Sequence, residues 1–206
     1  MKKLFDFFKK KGHRASAVKT HEDDSGDDNI VEKMKKIRES VPESENGEVI
    51  SKVISASEVD GYLSGLFCQV WGYVTRACDT AKCRKYMDYY LDLGLGYEGS
   101  PFDPQKDKYL GIIRFPIYAG DNFSGKLIIP YGTGFGGIFS DPLPFTGNGF
   151  AIGAGTDSII PEYMLTSPVG IPGGAELYIV YQNGDEVLMG VFNGEKEKFI
   201  RLEDMD

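Results

Sequence analysis

The pattern of apolar and polar residues predicts helices in the first half of the chain. Residues 30–40 repeat apolar side chains at the spacing of an amphipathic helix, which Asp28 or Asn29 can cap. The same spacing recurs over residues 57–70 and over residues 80–93. We therefore expect three helices before residue 100, with one short strand between the first two.

The second half of the chain has the pattern of a sheet. Apolar residues dominate residues 109–118, and shorter apolar pieces follow, separated by glycine and proline. Asn183 and Gly184 lie between the apolar runs 176–182 and 186–192, an arrangement typical of a β-hairpin. The pattern predicts an α+β fold in which N-terminal helices precede a Gly-rich, mainly antiparallel β-sheet.

Charge divides the chain of 206 residues into a leading segment and one domain. Residues 1–28 are rich in charge and are expected to be mobile, whereas residues 29–206 form a single α+β domain with a helical part (29–100) and a sheet-rich part (101–206). Residues 1–14 combine lysines with phenylalanines, which fits a plain tail, an export address or weak contact with an anionic membrane surface. No apolar run reaches the roughly 20 residues of a transmembrane helix. We expect a cytoplasmic protein, or one exported without a cleavable signal peptide.

Composition excludes several kinds of chemistry. The net charge is −8, and no lysine or arginine occurs between Leu127 and Glu195, so nucleic-acid binding is not expected. The two histidines, His13 and His21, both lie in the leading segment. The domain therefore lacks a Ser-His-Asp or Cys-His catalytic unit and His-ligated zinc, and no metal is expected. The three cysteines lack CxxC spacing and are expected to be reduced thiols, with a Cys78–Cys83 disulfide or a partial metal site as the alternatives.

Two features of the sheet-rich part could contact a ligand. Arg114 lies in an apolar strand, where it either faces solvent at an edge or grips a phosphate or carboxylate. The loop PFTGNGF supplies the Thr146 hydroxyl and Gly147, whose backbone a ligand could approach closely. Phe150, which closes that loop, could stack on a planar ring or fill the core.

Acidic residues provide the remaining candidates. Glu176 and Glu186 open the two strands of the expected hairpin, and Glu162 lies farther upstream. A carboxylate facing a cleft could stabilise an oxocarbenium-like centre or bind a ribose hydroxyl, whereas ordinary hairpin-end acids remain in water. The sequence does not decide between Glu176 and Glu186. Arg76 could contact a second phosphate, and Asp79 is expected to cap a helix.

The order of these motifs is similar to that of the arginine–serine–glutamate class of ADP-ribosyltransferases, as found in bacterial toxins. The resemblance covers roughly residues 109–202 and rests on Arg114 (IIRF), Thr146 (FTGNGF) and Glu186 (DEVLM). It implies that Arg114 holds the phosphates of NAD, with Gly147 and Phe150 completing the NAD surface. It also implies that Thr146 orders the site, while Glu186 binds the ribose and promotes loss of nicotinamide.

Residues 168–178 (PVGIPGGAELY) resemble necrotizing-toxin NAD glycohydrolases, which cleave the same bond. Together the resemblances imply a secreted bacterial toxin or effector that consumes NAD as its substrate. It would either transfer ADP-ribose to a target protein or hydrolyse NAD, and a cognate immunity protein would be a partner. The alternative is a non-enzymatic interaction module, such as an immunity or adaptor protein. Candidate residues around one pocket would favour the enzyme, and an exposed apolar patch would favour the module.

Overall fold

The computed structural model describes residues 24–132, 147–154, 156 and 158–204, with side chains from residue 32 onward. The expectations for residues 1–14 and for Thr146 lie outside the described residues. The elements, in chain order, are α1 (Asp24–Glu39), β1 (Val49–Ile54), α2 (Ala56–Leu63), β2 (Gln69–Arg76), α3 (Tyr86–Asp92), β3 (Tyr109–Pro116), β4 (Leu127–Ile128), β5 (Phe150–Ile152), β6 (Ile159–Pro161), β7 (Tyr163–Gly170), β8 (Glu176–Tyr181), β9 (Glu186–Asn193) and β10 (Lys198–Arg201).

The fold is α+β and is dominated by an antiparallel sheet. Eight strands form one sheet in the order β10-β9-β8-β3-β1-β2-β7-β4, and β5 pairs with β6 in a second, small sheet. The hairpin expected at Asn183-Gly184 joins β8 to β9. Gly184 has a φ of +96°, a conformation that glycine adopts without strain, and this explains the reversal of the chain there.

Strands also occur among the helices of the first half. The spacing over residues 57–70 predicts a single helix, but α2 ends at Leu63, and β2 begins at Gln69. Gly65 has a φ of +79°, which terminates the helical path. Helix α2 also begins earlier than expected, because the backbone N–H of Ser55 donates to Glu58 Oε2 at 2.8 Å. The part of the chain expected to be helical is therefore mixed.

Both faces of the sheet are covered by apolar side chains. On one face, Ile113 and Phe115 of β3 pack in the main core with residues of α1 and α2. On the other, which we call the α3 face, Leu110 and Ile112 pack against Tyr86 and other residues of α3. Burial on both faces explains why β3 is almost continuously apolar. Because side chains alternate along a strand, the next residue on the α3 face is Arg114.

Candidate functional site

A row of polar residues crosses the α3 face of the sheet. We call it the polar row, and its members in order are Glu176, Arg114, Ser51, Thr75 and Glu162. Strand register places each of the first three opposite the next. The β2–β7 pairing, continued by one residue, places Glu162 beyond Thr75. Side chains directly opposite on one face lie about 5 Å apart at Cβ, so the row is continuous across the strands.

At one end of the row, Arg114 and Glu186 form a two-point ion pair. The guanidinium donates to the two carboxylate oxygens at 2.6 and 3.1 Å. It also lies over the Tyr178 ring, 4.7 Å from the ring centroid. The Tyr178 hydroxyl in turn donates to Glu176 Oε2 at 2.8 Å. Burial works against the charge of Arg114, but its contacts with Glu186 and Tyr89 together outweigh burial and raise the pKa of the guanidinium.

The structure thus brings together Arg114 and Glu186, two residues singled out from the sequence. They meet as partners of each other, and both are partly exposed. Phe150 is fully buried in the main core. Of the two roles expected for it, stacking on a ring or filling the core, it has the second. Gly147 lies in a separate loop, where its neighbour Asn148 accepts a hydrogen bond from the backbone of Gly132.

Arg76 and Asp79 satisfy each other locally. The Arg76 guanidinium donates to both Asp79 oxygens at 2.7 Å and lies 3.4 Å from Glu48. The hydrogen bonds to Asp79 raise the pKa of Arg76 further. The expectation that Asp79 caps a helix is wrong, because α3 begins later, at Tyr86, after Lys85. A short-range arginine–aspartate pair replaces the cap.

A cleft of about 650 Å³ opens beside the polar row. This volume falls within the range of small-molecule sites. Ser51, Thr75 and Glu162 of the polar row line it. Its other walls are mainly apolar and aromatic, including Trp71, Tyr73, Leu95, Tyr97, Phe102 and Met164. Neither Arg114 nor Glu186 lines this cleft.

The cleft forms where β1 and β2 separate. The two strands pair at only two positions, the second of which joins Ser51 to Thr75. In β2, a bulge lies between Val70 and Gly72 and interrupts the pairing with β7. Bulges commonly redirect a side chain beside a functional site. Here Trp71 is 66% exposed at the rim of the cleft.

Two hydroxyl groups in the cleft wall are buried without a partner. Ser51 is 2% and Thr75 4% exposed, and neither hydroxyl has a hydrogen-bond partner among the described residues. Buried polar groups are normally hydrogen-bonded, and one left unsatisfied costs about 1–3 kcal/mol. A ligand that hydrogen-bonds to these hydroxyls would remove that cost.

Lys52 places an amine in the same wall. Its Nζ donates to the Tyr73 carbonyl oxygen at 3.0 Å, across the gap between β1 and β2. Burial lowers the pKa of the Lys52 ammonium from its ordinary value of 10.5, and the carboxylates of Glu58 and Glu162 oppose this shift. Glu162 is itself buried. The cleft therefore combines a lysine whose pKa is lowered by burial with a buried carboxylate.

Sequence reasoning missed Ser51, Lys52 and Thr75. The available signal was their position inside short strands that are otherwise apolar, since a polar residue in such a strand needs a partner or a cavity. The sequence does not show that Ser51 and Thr75 lie opposite each other, because strand register is a property of the folded sheet.

Large apolar side chains near the start of β2 are exposed. Leu66 is 74% exposed, and Phe67 and Trp71 are also exposed. All three lie in or next to the connection from α2 to β2. This is the type of exposure that the sequence analysis associated with an interaction module.

Neither a metal cluster nor a membrane span is found in the described part of the chain. Among those residues, no three His, Cys, Asp or Glu side chains come together to hold a metal ion. No helix there is long and apolar enough to cross a membrane. A comparison of the chain with protein-family models, curated proteins and solved structures finds no match.

Proposed function

We propose that this protein binds a small, neutral, largely apolar molecule in the cleft between β1, β2 and the segment after α3. The observation that carries the proposal is the pair of buried, unpartnered hydroxyls of Ser51 and Thr75 in the cleft wall. These unpartnered hydroxyls lower the stability of the ligand-free protein, and a ligand that supplies the missing hydrogen bonds offsets that loss. Apolar pockets with a few convergent polar groups are the usual form of small-molecule sites.

The lining of the cleft limits the kind of ligand. Lys52 and Glu162 contribute opposite charges, so a neutral ligand avoids an unpaired charge in a partly buried site. The aromatic walls formed by Tyr73, Tyr97 and Phe102 favour a planar ring system. A hydroxyl or carbonyl group on that ring system would meet Ser51 and Thr75.

Trp71 allows binding to be measured directly. It is the single tryptophan of the chain and lies at the rim of the cleft. Titration with biphenyl-4-methanol, a neutral biaryl with one hydroxyl, should change the Trp71 emission saturably. We expect a Kd of about 1 mM or lower, which corresponds to about 4 kcal/mol of binding free energy.

Two threonines provide a matched pair of variants. Thr75→Val removes a hydroxyl from the cleft and keeps the shape, and it should weaken binding of biphenyl-4-methanol by about 3- to 10-fold. Thr80→Val removes an equally buried hydroxyl that donates instead to the Ala77 carbonyl, and it should leave binding unchanged. The proposal fails if the emission does not saturate, or if both variants bind as the wild type does.

A second proposed function is consumption of NAD at Arg114 and Glu186. The observation in its favour is that these residues, which the family resemblance pairs with an NAD-binding arginine and a catalytic glutamate, meet in direct contact. A phosphate group would replace Glu186 on the Arg114 guanidinium and release the carboxylate to act on the ribose. A fixed carboxylate stabilises the positive charge that develops as the nicotinamide bond breaks.

Release of nicotinamide from NAD tests this second function, with and without a protein substrate. Glu186→Gln should reduce turnover by roughly 100-fold while NAD binding survives. Glu176→Gln is the control, because Glu176 lies on β8, next to the strand of Glu186, and accepts a hydrogen bond from Tyr178 of its own strand. If Glu176→Gln loses activity and Glu186→Gln does not, Glu176 is the catalytic residue. Absence of nicotinamide release from the wild type would reject the function.

A further inference from the structure

Lys52 is placed differently from a surface lysine. Its amine lies in the gap between β1 and β2, held by the Tyr73 carbonyl oxygen at 3.0 Å. It lines the cleft together with the buried Glu162 and with the Ser51 and Thr75 hydroxyls. Residues that carry an amine, a carboxylate and two hydroxyls thus line one largely apolar cleft.

We propose that Lys52 is a nucleophile that forms a Schiff base with an aldehyde or ketone bound in the cleft. This inference rests on the ligand-binding function proposed above and specifies its substrate class as neutral carbonyl compounds. Lysine amines act in this way when their surroundings favour the uncharged form.

The surroundings of Lys52 shift its protonation equilibrium towards that form. The charged groups that act on it are Glu58 of α2 and Glu162, and the titratable side chains of Tyr73 and Tyr97 line the same cleft. The two carboxylates favour the ammonium, yet burial outweighs them and lowers the pKa of Lys52. Each unit of such lowering raises the fraction of neutral amine about tenfold at a pH below both pKa values.

The reaction balances with the groups in the cleft. The Lys52 nitrogen lone pair attacks the carbonyl carbon, a C–N bond forms, and the electron pair of the C=O bond moves to oxygen. Glu162 accepts a proton from nitrogen, and the oxygen takes a proton from solvent to become a hydroxyl group. The nitrogen lone pair then expels this hydroxyl as water, to which Glu162 gives the proton it holds. The iminium nitrogen returns one proton to solvent, and an imine remains.

Reductive trapping tests the inference. The full-length protein is incubated near neutral pH with biphenyl-4-carboxaldehyde and sodium cyanoborohydride, and its peptides are analysed by mass spectrometry. The peptide containing Lys52 should gain the mass of the aldehyde less one oxygen. We expect it to do so faster than the peptide containing the exposed Lys82.

Variants separate nucleophilic attack from binding. Lys52→Arg keeps the charge and removes the reactive amine, so trapping at residue 52 should disappear. Glu162→Gln should slow trapping at Lys52, because the carboxylate no longer moves protons. Lys82→Arg is the matched control and should leave trapping at Lys52 unchanged. Biphenyl-4-methanol should protect Lys52 in the wild type, which tests the site even if a variant fails to fold.

The two proposals fail in different ways. If biphenyl-4-methanol binds but the aldehyde modifies Lys52 no faster than Lys82, the Schiff-base inference is wrong and the binding function stands. If the alcohol neither changes Trp71 emission nor protects Lys52, both are wrong. Selective trapping at Lys52 that the alcohol suppresses supports both.

Discussion

At the scale of single residues, two buried threonines differ in what their hydroxyls contact. The Thr75 hydroxyl has no hydrogen-bond partner among the described residues, whereas the Thr80 hydroxyl donates to the Ala77 carbonyl. In the free protein, Thr75→Val should therefore raise the free energy of unfolding by about 1 kcal/mol, and Thr80→Val should lower it by a similar amount. Urea denaturation of both variants measures the difference. Equal losses of stability would show that the Thr75 hydroxyl is satisfied within the protein.

The ion pair of Arg114 and Glu186 has a modest expected energy. Both side chains are partly exposed, and pairs of this kind contribute about 0.2–1 kcal/mol. Contact with the Tyr178 ring adds about 0.5–1 kcal/mol. Arg114→Lys should lose the two-point contact and the stacking, and should lower the free energy of unfolding by about 1 kcal/mol. Urea denaturation tests this, and a variant as stable as the wild type would show that the pair is unimportant for stability.

The cysteines should differ in reactivity. Cys78 is exposed, while Cys83 is buried with its thiol 3.7 Å from Asp92 Oδ2. Burial raises the pKa of Cys83 to about 12, and the Asp92 carboxylate adds to the shift. The reactive thiolate of Cys83 is therefore scarce at pH 8, which lies far below that pKa.

A coloured disulfide reagent that reacts with thiols should label Cys78 rapidly at pH 8. It should label Cys83 only after unfolding. The variants Cys78→Ser and Cys83→Ser assign the two reactions. Rapid labelling of Cys83 in the folded protein would contradict its burial under α3.

At the scale of elements, the packing of α2 on β3 depends on Gly111. A Cβ atom at this position would lie 2.6 Å from Ile54 Cγ1 and 2.8 Å from Val59 Cγ2. Gly111→Ala should therefore force α2 away from the sheet and cost about 1–3 kcal/mol. Gly170→Ala is the control, since its Cβ would meet no atom within 4 Å. Thermal unfolding compares the two variants, and equal stability would refute the tight packing.

Local signals explain which elements the sequence predicts. The β8–β9 hairpin follows from Asn183 and Gly184, because a tight turn depends on the conformation of a few adjacent residues. Strand β2 was missed because apolar residues from Val59 to Val70 continue a helical spacing. The structure breaks that spacing at Gly65 and folds Phe67 back onto Tyr62, with ring centroids 5.4 Å apart.

Long-range pairing explains why only part of the site was predicted. Arg114 stood out because it is a charged residue in an apolar strand, and its contact with Glu186 lies between distant parts of the sequence. The polar row depends on the register of β1 with both β2 and β3, which places Ser51 between Arg114 and Thr75. No local pattern in the sequence specifies that register.

At the scale of the whole molecule, the α3 face of the sheet carries two separate regions. The cleft lies on the β1–β2–β7 side, and the Arg114–Glu186 pair lies on the β3–β8–β9 side. On the same face, α3 and the segment that follows it pack on Leu110 and Ile112. The polar row connects the two regions, so a molecule longer than the cleft could extend along it towards Arg114.

The most direct test of the binding function is the free energy of unfolding in urea, measured with and without biphenyl-4-methanol. A ligand at 100 times its Kd should stabilise the wild type and Thr80→Val by about 2.7 kcal/mol. At the same concentration, Thr75→Val should gain about 1 kcal/mol less, although it is the more stable protein without ligand. Equal stabilisation of all three proteins, or none in the wild type, would contradict the claim that the buried Thr75 hydroxyl serves a ligand in the cleft.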